Sequence, residues 1–163
     1  LLYGPSGCGK TLLAEELMGN LFYANWIRMD GTALFSPYLG ESERRIRTLF
    51  AQARALEPCI VFIDDLEAVG GNREADGSGV ERRVLGALLA ELDGAASGRI
   101  FLLGRTRVID NVDSALMRSG PIDSLIEVGL PFSQDRLKIL QVLTRNKRLK
   151  AAPLQNIFFY ISR

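Results

Sequence analysis

The sequence predicts an α/β fold in which a five-stranded parallel sheet is flanked by helices. Apolar segments alternate along the chain between strand-like runs and helix-like stripes, the pattern of parallel strands joined by crossover helices. A G-x-x-x-x-G-K-T motif occupies residues 4–11, between a strand-like segment at 1–3 and a helix-like segment from Leu12 to Met18. Strand, glycine-rich loop and helix in this order are typical of the first unit of such a sheet.

Length and composition indicate one globular domain with a sizeable core. The chain has 163 residues, of which 47% are hydrophobic and 24% are charged, and its formal net charge is +1. This charge gives no argument for nucleic acid or an acidic membrane surface as a partner. The chain begins at Leu1 inside a predicted strand, so we expect it to be a fragment of a longer protein.

Cysteine and histidine usage narrows the chemistry. Cys8 and Cys59 lie in the glycine-rich loop and in a predicted buried strand, and we interpret both as reduced thiols. This suits a reducing intracellular compartment and predicts a cytoplasmic or nuclear location. The chain has no histidine, which excludes histidine-based catalysis and His-ligated zinc within it. No apolar run approaches the roughly 20 residues of a membrane span.

The remaining elements follow from apolar runs and their boundary residues. Further strands are predicted at Asn25–Met29, Cys59–Asp65, Ile100–Gly104 and Leu125–Val128. Helices are predicted from Leu12 to Asn20, from about Ser42, from Ser78 to Gly94, over Ser114–Arg118 behind Asp113, and from Ser133 to about Lys147. In the second helix, an apolar stripe is formed by Ile46, Leu49, Phe50 and Ala53, and the side chains expected to face water are Glu43, Arg44, Arg45 and Arg47.

The loop at residues 4–11 has the chemistry of a phosphate-binding loop. Its glycines let backbone N–H groups approach an anion closely, and the following helix adds its positive dipole. Lys10 is placed to reach the β- and γ-phosphates of a nucleotide, and the Thr11 hydroxyl to ligate Mg²⁺. The predicted nucleotide-binding residues are Gly4, Pro5, Ser6, Gly7, Cys8, Gly9, Lys10 and Thr11.

Two carboxylates, Asp64 and Asp65, end the apolar run that begins at Cys59. Ligands of open α/β sheets bind at the carboxyl ends of the strands, which is where these aspartates are expected. Together with the phosphate loop, they predict a P-loop nucleoside triphosphatase (NTPase) fold.

Five blocks in register resemble the ATPase domain of the AAA family, from Leu1 to about Leu149. The blocks are Gly4–Thr11 (Walker A), Tyr38–Glu43 (the pore loop), Ile60–Asp65 (Walker B), Glu81–Gly94 (the second region of homology) and Asp113–Asp123 (the segment that ends in the arginine fingers). The amino-acid sequences of two blocks are most similar to those of tandem-domain members of the valosin-containing-protein and ribosome-maturation types.

The resemblance implies roles for particular residues. It implies that Thr11 and Asp64 position Mg²⁺, Asp64 through a water molecule, and that Asp65 stands in place of the Walker B glutamate, which polarises the attacking water. Tyr38, Leu39 and Gly40 are implied to face the central pore of a hexameric ring and grip a protein substrate. The ring is homomeric or shared with other AAA domains, and ATP is the nucleotide.

Departures from the family pattern lie at the catalytic positions. Walker B ends in Asp65, whose carboxylate is retracted by about 1.5 Å, and a misplacement of about 1 Å can cost on the order of 100-fold in rate. Arg107 aligns with the sensor-1 asparagine, and Pro121 and Ser124 align with the two arginine fingers. We therefore expect poor hydrolysis in a homohexamer and partial rescue by a neighbour that supplies fingers.

The sequence predicts two domain segments and is compatible with three functional hypotheses. Residues 1–131 are predicted as the large nucleotide-binding subdomain, and residues 132–163 as the truncated start of a small helical lid with an uncertain tail. The first reading is an ATPase that remodels a protein substrate. The second is an ATP-binding, hydrolysis-deficient structural domain of a ring, and the third is another P-loop class such as a kinase or helicase.

Overall fold

A computed structural model describes residues 1–69, 79–95, 98–117 and 122–145 of the chain. Internal contacts divide the chain into two compact units, Leu1–Val128 and Gly129–Arg163. Strands and the predicted site residues lie in the first unit. The predicted subdomain boundary after residue 131 stays a prediction.

The described residues of the first unit include five parallel strands, as predicted. They are β1 (Leu2–Tyr3), β2 (Asn25–Asp30), β3 (Cys59–Asp64), β4 (Ile100–Gly104) and β5 (Ile126–Glu127). Hydrogen bonds pair β1 with β5 and assemble β2, β3 and β4 in that order, all in parallel register. One parallel bridge between Leu2 and Arg105 joins the two ladders, so the strand order is β5-β1-β4-β3-β2.

Apart from a short helix at Leu66–Val69 that was not predicted, the helices begin and end close to their predicted bounds. They are α1 (Lys10–Asn20), α2 (Glu41–Ala55), α3 (Leu66–Val69), α4 (Gly79–Ala95) and, in the second unit, α5 (Ser133–Thr144). The segment predicted as a short helix behind Asp113 is a 3₁₀ turn at Ser114–Leu116. Its cap is confirmed, because Asp113 Oδ1 accepts a hydrogen bond from the Ala115 N–H at 2.8 Å. Within the described ranges, no helix is both long enough and apolar enough to cross a membrane.

The core lies between β3 and the helices that cover it. Strand β3 is buried from Cys59 to Ile63, which confirms that the apolar run is a central strand. The predicted stripe of α2 is buried at all four positions, and α4 buries Val84, Leu88 and Leu92 against the same core. This packing fixes β3, and with it the two aspartates at its carboxyl end.

Two expectations about exposure are wrong or only partly right. Glu43 was expected to face water, but it is buried because Arg83 reaches it with Nε 3.1 Å from Glu43 Oε1. The sequence pattern also predicts that Leu137, Leu140, Val142 and Leu143 of α5 face inward, but Val142 and Leu143 are exposed. Other predictions fall outside the described residues: the cap at Ser78, the segment Arg118–Pro121 and the tail from residue 146.

Replacing Phe50 by Ala tests the α2 core packing. Phe50 is fully buried, so Phe50→Ala is expected to lower the free energy of unfolding by about 3–5 kcal/mol through lost burial and a residual cavity. The matched control is Phe22→Ala, at a side chain that is 93% exposed, where a change within about 0.5 kcal/mol is expected. Urea unfolding followed by circular dichroism measures both, and equal losses would contradict the assignment of the core.

Candidate functional site

The backbone of residues 4–9 has the conformation that a phosphate loop requires. Gly4, Gly7 and Gly9 have φ angles of 137°, 80° and 90°, a region that L side chains rarely adopt. A Cβ at Gly4 would overlap the carbonyl oxygen of Val128. The three glycines are therefore demanded by the fold of the loop.

The loop leads directly into the N-terminus of α1. Gly9 is the N-cap of this helix, and no side chain among the described residues caps it. The first-turn N–H groups thus have no carbonyl partner within the helix, and the helix dipole places positive potential there. Pro5, Ser6, Gly7 and Gly9 are exposed, so an anion has access to this end of α1.

Lys10 is buried beneath the loop. Its side chain retains only 3% exposure, and Nζ donates hydrogen bonds to the carbonyl oxygens of Gly4 and Pro5, each at 2.6 Å. A buried ammonium is costly unless it is paired or hydrogen-bonded. Its partners are two neutral carbonyl oxygens, and the ammonium group lies at the base of the loop where an anion would bind.

Thr11 and Asp64 come together as predicted, although they are 53 residues apart in sequence. Thr11 Oγ1 donates a long hydrogen bond of 3.5 Å to Asp64 Oδ2. Asp64 ends β3 at the carboxyl edge of the sheet, beside the first turn of α1. The two side chains predicted to position a metal ion therefore lie next to each other at the carboxyl edge of the sheet.

Arg105 is the residue that organises the two aspartates. Its Nη1 lies 2.9 Å from Asp64 Oδ1 and also donates a hydrogen bond to Asp65 Oδ1. The side chains of Arg105 and Asp64 are each 15% exposed and that of Asp65 is 33% exposed, so these ion pairs are only partly screened by water. The carboxylate of Asp65, implied to polarise water, is instead engaged by a guanidinium.

Asp65 also has an unusual backbone. Its φ angle of 51° lies in the left-handed region, which non-glycine residues seldom occupy, although aspartate tolerates it better than most. This turn ends β3 and begins α3 at Leu66, whose N–H donates to the Arg105 carbonyl at 2.8 Å. The strained turn thereby points the Asp65 carboxylate back towards Arg105.

A second arginine, Arg28 on β2, engages the other oxygen of Asp64. Arg28 Nη2 lies 3.3 Å from Asp64 Oδ2, while Nη1 of the same side chain pairs with Glu15 on α1. The guanidinium carbon of Arg28 also lies 5.8 Å from the centre of the Phe62 ring. Both oxygens of Asp64 therefore carry cationic partners.

The residues at this place do not fit Mg²⁺ as they are arranged. Mg²⁺ requires oxygen ligands in near-octahedral geometry, usually one or two carboxylates with water and phosphate oxygens. Thr11 and Asp64 supply suitable atoms, but two guanidinium groups engage the Asp64 oxygens. Within the described ranges, no cluster of three metal-ligating side chains lies here or elsewhere.

Arg107, predicted to contact the reaction centre, pairs with Glu67 instead. Its N–H donates to Glu67 Oε1 at 3.3 Å, and its Nε lies 3.5 Å from the same oxygen. Burial acts to raise the pKa of Glu67, but hydrogen bonds from Thr106, Arg107 and the backbone outweigh it and lower that pKa. The lowered pKa favours the ionised form of Glu67, which is the ion-pair partner of Arg107.

The predicted pore-loop residues form a separate, exposed turn. Tyr38 and Leu39 are 77% and 85% exposed, and Gly40 at φ 78° begins α2. Ser36 and Ser42 fold the turn, because the Ser36 N–H donates to Ser42 Oγ at 2.9 Å. No hydrogen bond or ion pair of the described residues joins this turn to the phosphate loop.

Sequence reasoning missed the roles of Arg105, Arg28 and Glu67. The run Arg105-Thr106-Arg107 is visibly unusual after a buried strand, and that is the one signal that points to Arg105. Arg28 and Glu67 carry no such signal, because their partners are set by strand register and by the turn at Asp65. Of the predicted finger positions, Ser124 is exposed and carries no charge, and Pro121 lies outside the described residues.

Comparisons with known proteins identify the family. The family "ATPase family associated with various cellular activities (AAA)" matches residues 1–130. The chain is 47% identical to an ATPase family protein 2 homolog of Caenorhabditis elegans over 92% of the chain and 21% of that protein. It is 43% identical to the ribosome biogenesis ATPase RIX7 of Saccharomyces cerevisiae over 90% of the chain and 17% of the relative.

A third relative is archaeal. The chain is 44% identical to the proteasome-activating nucleotidase of Pyrococcus horikoshii over 96% of the chain and 40% of the relative. The chain thus spans less than half the length of each of these relatives.

Alanine at Gly4 tests the backbone requirement of the loop. Gly4→Ala places a Cβ against Val128 at a φ angle of 137°, so we expect a loss of about 1–3 kcal/mol in the free energy of unfolding. Gly86→Ala is the matched control, since Gly86 lies within α4 with no heavy atom within 4 Å of the new Cβ. The control is expected to gain about 0.5–1 kcal/mol from helix propensity. Thermal unfolding distinguishes the two, and a neutral Gly4→Ala would contradict the described loop.

Proposed function

The chain belongs to the AAA family of ATPases, and on this premise we propose that it is an ATP-binding module that helps to remodel or unfold a protein substrate. In this proposal the module works in a hexameric ring, with copies of itself or with other AAA domains. ATP binding is strong, and hydrolysis by this module's own site is slow.

The phosphate loop is the observation that carries ATP binding. Three glycines with positive φ, the uncapped end of α1 and the buried ammonium of Lys10 converge on one exposed turn. Such a turn offers backbone N–H groups, a helix dipole and one full positive charge to a polyphosphate. Its binding chemistry depends on backbone shape and one lysine, both of which are intact.

Slow hydrolysis follows from the side chains around the reaction centre. Phosphoryl transfer needs a positioned water and neutralised charge more than covalent chemistry. Asp65 is one methylene shorter than the residue at the family's position, and its Oδ1 accepts a hydrogen bond from Arg105. Arg107 pairs with Glu67, so both side chains that would orient a water molecule have other partners.

Magnesium at Thr11 and Asp64 stays a prediction of the sequence. When bound beside a nucleotide, Mg²⁺ neutralises phosphate charge. The guanidinium partners of Asp64 oppose its binding here, and the proposed function does not depend on it.

The exposed turn at Tyr38 supports contact with a protein substrate. An aromatic and an aliphatic side chain that both stand in solvent offer an apolar grip for an unfolded polypeptide. Ser36 and Ser42 fix the turn that presents them, so the grip is preformed.

A second candidate function is a structural module that binds ATP to support ring assembly and does not hydrolyse it. The Arg105–Asp65 ion pair favours this candidate, because a carboxylate paired with a guanidinium is a poor acceptor for water. Ser124, uncharged at a finger position, favours it as well, since it offers a neighbour's nucleotide no positive charge.

Lys10→Ala tests ATP binding. Loss of the buried ammonium removes the one side-chain cation of the loop, so we expect the affinity for a fluorescent ATP analogue to fall at least about 100-fold. The matched control is Lys138→Ala, at an exposed lysine of α5, which is expected to bind like the parent protein. Equal affinity of parent and Lys10→Ala would contradict the proposed function.

Asp65→Glu separates the two candidates by phosphate release. The added methylene extends the carboxylate past its present position, and we expect release to rise by about 10-fold if the module is a slow ATPase. Asp110→Glu makes the same chemical change at an exposed aspartate and is expected to have no effect. Phosphate release that stays at the Lys10→Ala background in Asp65→Glu, even with a finger-bearing AAA partner added, supports the structural module and contradicts the ATPase.

A further inference from the structure

We propose that the guanidinium of Arg105 takes the place of a divalent cation beside Asp64 and Asp65, so that this phosphate loop binds nucleotide without a metal ion. The inference rests on the proposed function, in that the loop must bind ATP. The new property is that nucleotide binding does not depend on Mg²⁺.

Hydrogen-bond donors surround both carboxylate oxygens of Asp64. Oδ1 lies 2.9 Å from Arg105 Nη1 and accepts the Asp65 N–H at 3.1 Å. Oδ2 lies 3.3 Å from Arg28 Nη2 and 3.5 Å from Thr11 Oγ1. A carboxylate offers about four lone-pair sites, and four donors surround this one. A metal ion, or a water molecule bound to one, would have to displace one of these donors to contact Asp64.

Backbone hydrogen bonds hold Arg105 beside the two aspartates. Its backbone N–H donates to the Ile63 carbonyl at 3.0 Å, and its carbonyl accepts from Leu66 at 2.8 Å. It also forms the bridge to Leu2, next to the phosphate loop. Arg105 is therefore held by both neighbouring strands, and the guanidinium cannot leave the aspartates by a simple movement of its backbone.

The charges of two aspartates and two arginines balance at this edge of the sheet. Asp64 and Asp65 carry two negative charges, and Arg105 and Arg28 supply two positive charges that no physiological pH removes. Arg28 also pairs with Glu15, so its charge is shared, whereas Arg105 contacts only the two aspartates among the ion pairs of the described residues. Arg105 is thus the principal counter-ion of this edge of the sheet.

This balance removes the usual need for a metal ion. A divalent cation bridges two groups that otherwise repel each other, the carboxylates at the strand end and the phosphates in the loop. Arg105 and Arg28 together already neutralise the carboxylates, and Lys10 with the end of α1 attracts the phosphates. Displacement of Arg105 by Mg²⁺ would leave a nearly buried guanidinium without an anion, which is unfavourable.

The experiment measures the affinity of a fluorescent ATP analogue in EDTA and in excess MgCl₂. We expect the parent protein to bind within about threefold in the two buffers. Arg105→Ala leaves Asp65 without its cationic partner and Asp64 with Arg28 alone beside the phosphates, so we expect it to lose at least about 10-fold in EDTA and to recover in MgCl₂. The matched control is Arg54→Ala, which removes an arginine paired with Glu91 on α4 and is expected to behave like the parent protein.

The outcomes distinguish this inference from the proposed function. Binding by the parent protein that requires MgCl₂, or an Arg105→Ala variant that is indistinguishable from the parent, overturns the inference alone. No binding by the parent protein in either buffer overturns the proposed function and the inference with it.

A second measurement does not depend on the stability of any variant. Mn²⁺ alone, followed by electron paramagnetic resonance, is expected to show no saturable site on the parent protein, and one saturable site there would overturn the inference. Arg105→Ala is expected to gain such a site. If it fails to fold, Arg105→Gln, which keeps a polar side chain of intermediate length but no charge, carries the same expectations.

Discussion

The ion pairs of Arg105 with Asp64 and Asp65 are the interaction on which the arrangement of this site depends. Arg105 follows β4, its side chain reaches the end of β3, and it lies opposite Leu2 in the parallel bridge that, among the described residues, joins β1 to the three-stranded ladder. A single residue thus connects the strand that leads into the phosphate loop with the strand that carries the acidic pair. The core packing of β3 then makes the whole edge rigid.

Nucleotide binding and nucleotide cleavage depend on different parts of this structure. Binding relies on loop shape, the end of α1 and Lys10, and these parts retain the chemistry of a phosphate site. Cleavage relies on side chains aimed at a reacting water, and those side chains are engaged elsewhere. Asp65 pairs with Arg105, and Arg107 pairs with Glu67. This separation is the physical basis of the proposed function, in which nucleotide binding is firm and hydrolysis is slow.

The sequence predicted the fold and the phosphate loop well because both have local signals. Apolar runs identified all five strands, and the motif at residues 4–11 identified the loop with its helix. The partners of Asp64 and Asp65 were not predictable in the same way, because strand register and the left-handed turn at Asp65 set them. The resemblance assigned Asp65 and Arg107 to roles that presume free side chains, whereas the structure engages both in ion pairs. Buried Glu43 was missed for the same reason, since a residue of another helix covers it.

A crystal structure of the protein grown with ADP and an excess of MgCl₂ distinguishes nucleotide binding without a metal ion from binding with one. We expect the diphosphate to lie against the N–H groups of residues 5–11 and the Arg105 guanidinium still to contact Asp64 and Asp65. Octahedral metal density bonded to Thr11, with Arg105 turned away from both aspartates, would contradict this expectation.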